Sequence, residues 1–157
     1  IPPLWDAECR VLLLGSLPSP KSRSVGFYYG HPQNRFWPVL AGLFEEAVPF
    51  GTEERASFAL RHHIALWDVI QSCTIEGAAD NSIQEVVPNP VETLLLESKI
   101  KAIFTTGAKA HSLYEKFCFD KTGLHAFLLP STSPANCARY DLAKLIYAYR
   151  ALLPFLK

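Results

Sequence analysis

Four short apolar runs constrain what this chain can fold into. They cover residues 10–14, 64–70, 102–105 and 126–129. In each run the apolar residues are mostly consecutive instead of alternating with polar residues, which is typical of strands buried on both faces of a parallel sheet. A parallel sheet needs a crossover between successive strands, and that crossover is usually a helix.

Helical patterns do lie between these runs, and three of them carry a start signal. Thr52 and Asp141 each precede a helical pattern and are expected to cap it, and Asn89 followed by Pro90 is a third signal of this kind. Because strand and helix alternate, the sequence predicts the α/β class. We expect a three-layer α/β/α domain with a four-stranded parallel sheet.

The length and the charge balance limit the domain count and the kind of partner. The chain has 157 residues, of which 49% are hydrophobic, so we expect one domain over residues 1–157. The 15 basic residues equal the 15 acidic ones in number. A nucleic-acid partner would therefore have to be held by a local patch and not by bulk charge.

The cysteines and the apolar runs predict the cellular setting. Four cysteines are widely spaced without a CxxC pair, so we expect reduced core thiols, no disulfide framework and no metal site. No apolar run approaches the ~20 residues of a membrane span, so no membrane partner is expected. These features favour an intracellular location, cytoplasmic or at the nucleoid in a prokaryote.

Ligands of open α/β sheets bind outside the carboxyl ends of the strands, so the segments that follow the strands are the candidate sites. Two of them, GSLPSPKS at 15–22 and LPSTSPAN at 129–136, are rich in Pro and Ser. Their amides and hydroxyls could cradle a phosphate or a base edge. Neither fits the phosphate loop or the dinucleotide pattern. On composition alone, ordinary turns explain both segments equally well.

A third segment, YYGHPQNRFW at 28–37, combines aromatic and amide side chains with Gly30 and Pro32. The glycine and the proline indicate a loop that runs into a helix. Such a loop either covers a core or holds a ligand that is flat and polar at its edge, such as a nucleobase.

Taken together, GSLPSPKS, YYGHPQNRFW, ALWDVIQSC and LPSTSPAN resemble the uracil-DNA glycosylase superfamily over about residues 10–150. HPQNRFW looks like its mismatch-specific branch, and the full set looks most like the hypoxanthine-DNA glycosylases. The resemblance implies a monofunctional enzyme without metal or cofactor, acting as a monomer. Its partner would be DNA that contains a deaminated base, which it would flip out and excise in the first step of base excision repair.

The resemblance also implies a catalytic residue. Superfamily members usually hold the attacking water with an Asn or Asp at the third position of the first motif, where this chain has Leu17. Asn34 of HPQNRFW is therefore the implied catalytic residue. An amide can orient water but is no strong base, so the reaction would be largely dissociative. The alternative role of Asn34 is a cap for the following helix, and the two roles are compatible.

The same resemblance implies a base pocket. Tyr29 aligns with an aromatic residue that stacks on the flipped base, while Phe36 and Trp37 are expected in the core. His31 is expected to contact the base or a phosphate, or to be structural. Hypoxanthine-type relatives tend to carry an asparagine at the position of Thr106, which offers one hydrogen bond where an amide offers two. The predicted pocket consists of Gly15, Ser16, Leu17, Pro18, Tyr29, His31 and Thr106.

The second motif is expected to contact DNA. Its first residue is histidine in uracil-specific relatives and Leu129 here, which argues against a dedicated uracil enzyme. Ser131 and Ser133 would bind phosphates, and Ala135 with its neighbours would form a wedge in the duplex. The alternative is a capped loop leading to the last helix. The predicted DNA contacts are Ser19, Ser131, Thr132, Ser133, Pro134, Ala135, Asn136 and Arg139.

Two other readings stay open at this point. One is a uracil or mismatch glycosylase of the same fold. The other is a non-catalytic module that binds nucleotides or damaged DNA, which Leu17 favours. Asp68, at the end of the predicted second strand, either orients a group in the pocket or is an exposed strand-end residue. A serine hydrolase is disfavoured because the GxSxG elbow is missing.

Overall fold

A computed structural model describes residues 1–17, 20–75 and 83–157. Its centre is a four-stranded sheet, all parallel, with the spatial order β2, β1, β5, β6. These strands are β1 (Val11–Gly15), β2 (Ile64–Asp68), β5 (Ala102–Thr106) and β6 (Phe127–Leu129). The predicted class and sheet are confirmed. Pro18, predicted in the pocket, and Ser19, predicted to contact DNA, lie outside the described residues.

The central strands form because their side chains are apolar on both faces. Val11 to Leu14 of β1 are fully buried, and Leu13 lies between Leu66 of β2 and Phe104 of β5 in the register. Burial of this kind contributes about 1.5–3 kcal/mol per large side chain. The sheet is thus fixed by its core, and its carboxyl edge brings Gly15, Asp68 and Thr106 side by side.

Seven helices surround this sheet in the described part of the chain, together with two 3-10 segments, Pro134–Asn136 and Arg150–Phe155. The helices are α1 (Pro20–Val25), α2 (Phe36–Phe44), α3 (Thr52–Arg61), α4 (Glu92–Leu96), α5 (Ala108–Phe117), α6 (Phe119–Thr122) and α7 (Leu142–Tyr149). Helix α2 packs closely on α7, where a Cβ on Gly42 would lie 2.5 Å from Cδ1 of Ile146.

The capping predictions have mixed outcomes. The Asp141 prediction is confirmed, since its Oδ1 accepts a 2.8 Å hydrogen bond from the N–H of Lys144. The Thr52 prediction is wrong, because Gly51 is the capping residue and Thr52 already lies in the helix. The Asn89 prediction is also wrong. The Asn89 amide donates instead to the carbonyl oxygen of Asp68 at 2.8 Å, and Val91 caps α4.

The apolar run 64–70 does not form one strand as predicted. Strand β2 ends at Asp68, and the N–H groups of Val69 and Ile70 then donate to the carbonyls of Gly15 and Ser16, at 2.8 and 3.1 Å. A separate antiparallel pair follows, β3 (Ile70–Ile75) and β4 (Ile83–Pro88), which was not predicted. The chain therefore leaves the sheet directly after Asp68.

The thiols agree in part with the expectation. Cys9 and Cys118 are free and buried, whereas Cys137 is free but exposed, so the prediction of a core thiol is wrong for Cys137. Within the described ranges, no helix is long and apolar enough to cross a membrane.

Candidate active site

The carboxyl ends of three strands bring polar groups together around Gly15. A Cβ built on Gly15 would lie 2.8 Å from Oδ1 of Asp68, 3.8 Å from the Tyr29 hydroxyl and 3.9 Å from Oγ1 of Thr106. Asp68 ends β2 and Thr106 ends β5, so the sheet itself sets this arrangement. A side chain at position 15 would displace the carboxyl group. The glycine is needed here for close approach.

Tyr29 enters this group from the loop before α2. Its φ of +55° lies in the left-handed region, which a bulky residue adopts only when its surroundings hold it there. The Tyr29 hydroxyl lies 3.3 Å from Oγ1 of Thr106, which in turn donates to the carbonyl of Leu14. Burial raises the pKa of the Tyr29 hydroxyl above its usual value, so the group is neutral.

The ring of Tyr29 stacks on Phe36, with centroids 3.8 Å apart and planes 12° from parallel. Phe36 is fully buried at the start of α2. One face of the Tyr29 ring is therefore covered by the core, and only the other face could receive a flat ligand. The expectation that Phe36 and Trp37 belong to the core is confirmed, and Phe27 and Tyr28 are buried as well.

Asn34 is held through a single atom of its side chain. Its Oδ1 accepts a 2.9 Å hydrogen bond from the N–H of Phe36 and a 2.8 Å hydrogen bond from Oγ1 of Thr132. A backbone N–H can only donate, so this contact fixes which end of the amide is the oxygen. The amino group, Nδ2, makes no hydrogen bond to the described residues. It can donate two hydrogen bonds to a water or a substrate.

The capping role predicted as an alternative for Asn34 is correct in its contact but displaced by one residue. Helix α2 begins at Phe36 and Arg35 is its capping residue, yet the Asn34 side chain satisfies the first free N–H. The structure therefore gives Asn34 a structural contact through its oxygen and leaves its amino group for another partner.

Arg35 fastens the second motif to this turn. Its N–H donates to the carbonyl of Thr132 at 3.1 Å, and its guanidinium donates to the carbonyls of Ser133 and Tyr140. Apart from the presence of an arginine in the motif, no sequence pattern indicates this role. The loop that carries LPSTSPAN thus cannot shift without moving the turn at Asn34.

The second motif uses most of its polar groups internally. Oγ of Ser131 accepts from the N–H of Ser133, and Oγ of Ser133 accepts from the N–H of Ala135, at 3.1 and 3.2 Å. The Asn136 amide donates to the carbonyl of Ser131 at 3.0 Å. Pro134 opens the 3-10 turn. These contacts support the capped-loop alternative for the local geometry, with the Ala135 side chain exposed at the tip.

Several predicted residues are placed near the site without joining the group at Gly15. Leu17 is half-buried and packs against the core. The carbonyl of Ser16 accepts a hydrogen bond from the N–H of Ile70, at the start of β3. Nδ1 of His31 accepts a 3.0 Å hydrogen bond from the N–H of Gln33, which favours a structural role for this ring nitrogen. Arg139 is exposed, and Thr132 is buried behind Asn34.

The burial of Asp68 differs most from what the sequence predicted. Only 6% of its surface is exposed, so the alternative of an exposed strand-end aspartate is wrong. Burial raises the pKa of this carboxyl from 3.8 to about 7, against the opposing effects of the Ile1 amino group and Arg23. The sequence signal was present but weak: an acid ends a continuously apolar strand at the edge where ligands bind.

No group of three or more metal-ligating side chains occurs within residues 1–17, 20–75 and 83–157. The candidate groups are the oriented amide of Asn34, the ring of Tyr29, the hydroxyls of Tyr29 and Thr106, and the buried acid Asp68. These are groups that can bind a flat polar ring and place a water beside it.

Comparison with known proteins decides the family. The model of the uracil DNA glycosylase superfamily matches residues 2–157. The chain belongs to the uracil DNA glycosylase superfamily. It is a DNA glycosylase, so the reading as a non-catalytic module is not supported.

Among the relatives of this glycosylase are two curated proteins named hypoxanthine DNA glycosylase. That of Methanosarcina acetivorans is 34% identical and that of Methanosarcina barkeri 32% identical, each over 86% of this chain and 85% of the relative. A solution NMR structure of a candidate uracil DNA glycosylase from M. acetivorans superposes with a TM-score of 0.81. It is 29% identical and covers 97% of this glycosylase and 96% of its own chain.

Proposed function

We propose that this DNA glycosylase excises hypoxanthine from DNA, with Asn34 holding the attacking water and Tyr29 stacking on the flipped base. The observation that carries the proposal is the fixed amide of Asn34, whose oxygen is engaged by Phe36 and Thr132 while its amino group is left for a ligand. The two relatives named hypoxanthine DNA glycosylase favour this base over others.

Hydrolysis of an N-glycosidic bond passes through an oxocarbenium-like sugar. The Asn34 amino group donates a hydrogen bond to a water molecule. This hydrogen bond orients the water so that a lone pair of its oxygen points at C1′ of the sugar. An amide does not remove the proton of that water in advance, so bond cleavage runs ahead of attack. Charge on the departing base must then be stabilised by hydrogen bonds in the pocket.

The proposed pocket for the flipped base lies beside Gly15, on the face of the Tyr29 ring opposite Phe36. Stacking on that face would contribute roughly 1–3 kcal/mol, and Thr106 would offer one hydrogen bond to the base edge. Ser16, Leu17, Pro18 and His31 complete the pocket as we propose it. Leu129 is buried and cannot assist a pyrimidine anion as a histidine would, which disfavours uracil as the main substrate.

The duplex would be held by the second motif. Its loop is fastened to Asn34 through Arg35 and Thr132, so a phosphate bound there sets the distance from the DNA backbone to the water. The exposed tip at Ala135 and the neighbouring Arg139 would fill the gap left by the base. The remaining proposed contacts come from Ser19, Ser131, Ser133, Pro134 and Asn136.

The other parts of the proposal concern the whole molecule. We propose that residues 1–157 form one domain that acts as a monomer inside the cell, at the DNA. The equal numbers of acidic and basic residues fit a protein that binds DNA through a few local phosphate contacts and reads the base in its pocket.

The test is single-turnover cleavage of duplexes that each carry one hypoxanthine, uracil or xanthine, followed by alkali. We expect wild-type protein to release hypoxanthine fastest. Asn34→Ala should lower that rate by about 10²-fold or more while binding to the duplex persists. Gln33→Ala, an exposed amide one residue away, is the matched control and should behave as wild type.

Two results would contradict the proposal. Selective release of uracil by the wild-type protein would assign it to the uracil-specific or mismatch-specific enzymes of the same fold. An Asn34→Ala variant that binds DNA and excises hypoxanthine at the wild-type rate would remove Asn34 from the reaction.

A further inference from the structure

The mechanism above leaves one buried titratable group at the site unused. We propose that the Asp68 carboxylic acid contacts the flipped purine and donates a proton to it as the glycosidic bond breaks. This inference rests on the proposed excision of hypoxanthine and adds a general acid to it.

The position of Asp68 supports direct contact with the base. Its Oδ1 lies against Gly15, 2.8 Å from where a Cβ would be, and the Tyr29 and Thr106 hydroxyls lie 3.8 and 3.9 Å from the same position. Gly15 has no side chain to separate the carboxyl group from these two hydroxyls. A ring that lies against Tyr29 and donates a hydrogen bond to Oγ1 of Thr106 would therefore have the Asp68 carboxyl at its edge.

Asn34 and the two hydroxyls beside Gly15 are poor proton donors. The Asn34 amide is not acidic, and Thr106 and Tyr29 carry hydroxyls, with the pKa of Tyr29 raised further by burial. The second motif contributes the apolar Leu129 where an acid would otherwise help the base leave. Asp68 is the group at this edge whose proton is exchanged near neutral pH.

The surroundings of Asp68 keep it protonated over a useful range. Burial raises its pKa to about 7, although Arg23 of α1 and the Ile1 amino group both favour the ionised form. The Tyr28 and Tyr29 hydroxyls, which face it from the loop before α2, are neutral because burial raises their pKa values above the usual range. At neutral pH a large fraction of Asp68 therefore still carries a proton.

A route for a new proton is also present. Asp68 lines a cleft of about 330 Å³ together with Arg23, Gln71 and Asn89. Arg23 and Gln71 are exposed, so solvent reaches this cleft. After each turnover, water in the cleft can return a proton to the carboxylate without passing through the pocket that holds the base.

In the proposed cleavage, the bond between C1′ and N9 breaks and its electron pair stays on the purine, while the Asp68 proton moves to a ring nitrogen of that purine. The water held by Asn34 adds its oxygen to C1′ and loses one proton to solvent, and solvent re-protonates Asp68. The net reaction is one water consumed, with hydroxyl on the sugar and hydrogen on the base.

This role predicts a difference between bases. A purine offers the basic ring nitrogens N3 and N7, whereas uracil offers only carbonyl oxygens, which are far weaker bases. Protonation by Asp68 should therefore accelerate departure of hypoxanthine more than departure of uracil.

The test is the pH profile of single-turnover hypoxanthine excision between about pH 5.5 and 9. We expect the wild-type rate to fall about tenfold per pH unit above about pH 7. Asp68→Asn, which keeps size and shape, should be slower by about 10²-fold at pH 6 and show no such slope. Asp68→Glu should keep a slope, and the exposed control Asp120→Asn should match wild type.

The outcomes separate the inference from the proposed function. If the wild type excises hypoxanthine and Asp68→Asn keeps the same slope, or loses hypoxanthine and uracil excision equally at every pH, Asp68 is not the acid and the inference fails alone. If the wild type excises no hypoxanthine at any pH, the proposed function fails and the inference with it. Circular dichroism and duplex binding of Asp68→Asn show that the variant is folded.

Discussion

The Thr132 hydroxyl donates a 2.8 Å hydrogen bond to Oδ1 of Asn34 from a position 98 residues further along the chain. The contact joins the second motif to the candidate catalytic amide, and Thr132 is buried while making it. This hydroxyl group and the Arg35 contacts therefore hold the second motif against the turn at Asn34.

Replacing Thr132 should test this link. In Thr132→Val the hydroxyl is lost but the shape is kept, so the Asn34 amide loses one of its two constraints. A hydrogen bond of this kind contributes about 1 kcal/mol, so we expect kcat to fall about fivefold to tenfold, with little change in KM for DNA. Thr132→Ser should restore the rate. An equal loss in the serine variant would show that the methyl group, and not the hydroxyl, matters.

Gly15→Ala should damage the site more than the fold. The new Cβ would lie 2.8 Å from Oδ1 of Asp68 and push the carboxyl group away from the base edge. We expect at least a tenfold loss of excision, and destabilisation of about 1–3 kcal/mol from the added methyl group. Gly123→Ala, which meets no atom within 4 Å but carries a φ of +72°, is the control. It should lower stability by about 1 kcal/mol and leave the excision rate unchanged.

Two variants of Tyr29 separate the ring from its hydroxyl. Tyr29→Phe loses only the 3.3 Å contact to Thr106 and should keep most of the activity. Tyr29→Ala loses the stacking face, so KM or Kd for lesion DNA should rise by the equivalent of roughly 1–3 kcal/mol. Tyr147→Ala, at a position 73% exposed on α7, serves as the control for loss of a tyrosine. Equal binding by all three variants would refute a stacking role for Tyr29.

The free energy of unfolding should depend on pH through Asp68. The pKa of this carboxyl is about 7 in the folded protein and 3.8 in the reference state, so between these values the folded protein binds more protons than the unfolded chain. Stability should therefore fall as pH rises from about 4 to 7, by on the order of 4 kcal/mol from this group alone.

Urea unfolding at a series of pH values measures this dependence. Asp68→Asn should flatten it and should be more stable than wild type at pH 8, since no buried charge has to form. If the free energies of unfolding of wild type and Asp68→Asn rise by the same amount between pH 5 and 8, Asp68 is not the buried acid described here.

The sequence by itself determined the parallel sheet and the segments that follow its strands. Continuous apolar runs are a local pattern, and they predicted four buried parallel strands. The four strands form, but Phe127 and Leu128 of the edge strand β6 are exposed. The motifs after the strands then had to meet at one edge. Asp141 was found for the same reason, since an N-cap acts within one turn. The capping prediction failed for Thr52 because Gly51 takes the capping position. It failed for Asn89 because the side-chain amide of Asn89 donates to the backbone carbonyl of Asp68 instead.

Only the tertiary structure decided the chemistry of the residues at that edge. The orientation of the Asn34 amide depends on Thr132, and the acidity of Asp68 depends on burial beside Gly15 and on Arg23. Arg35 likewise has its partners about a hundred residues away. Patterns and caps arise from neighbours along the chain, whereas desolvation and hydrogen-bond orientation arise from neighbours in space, which a single sequence does not state.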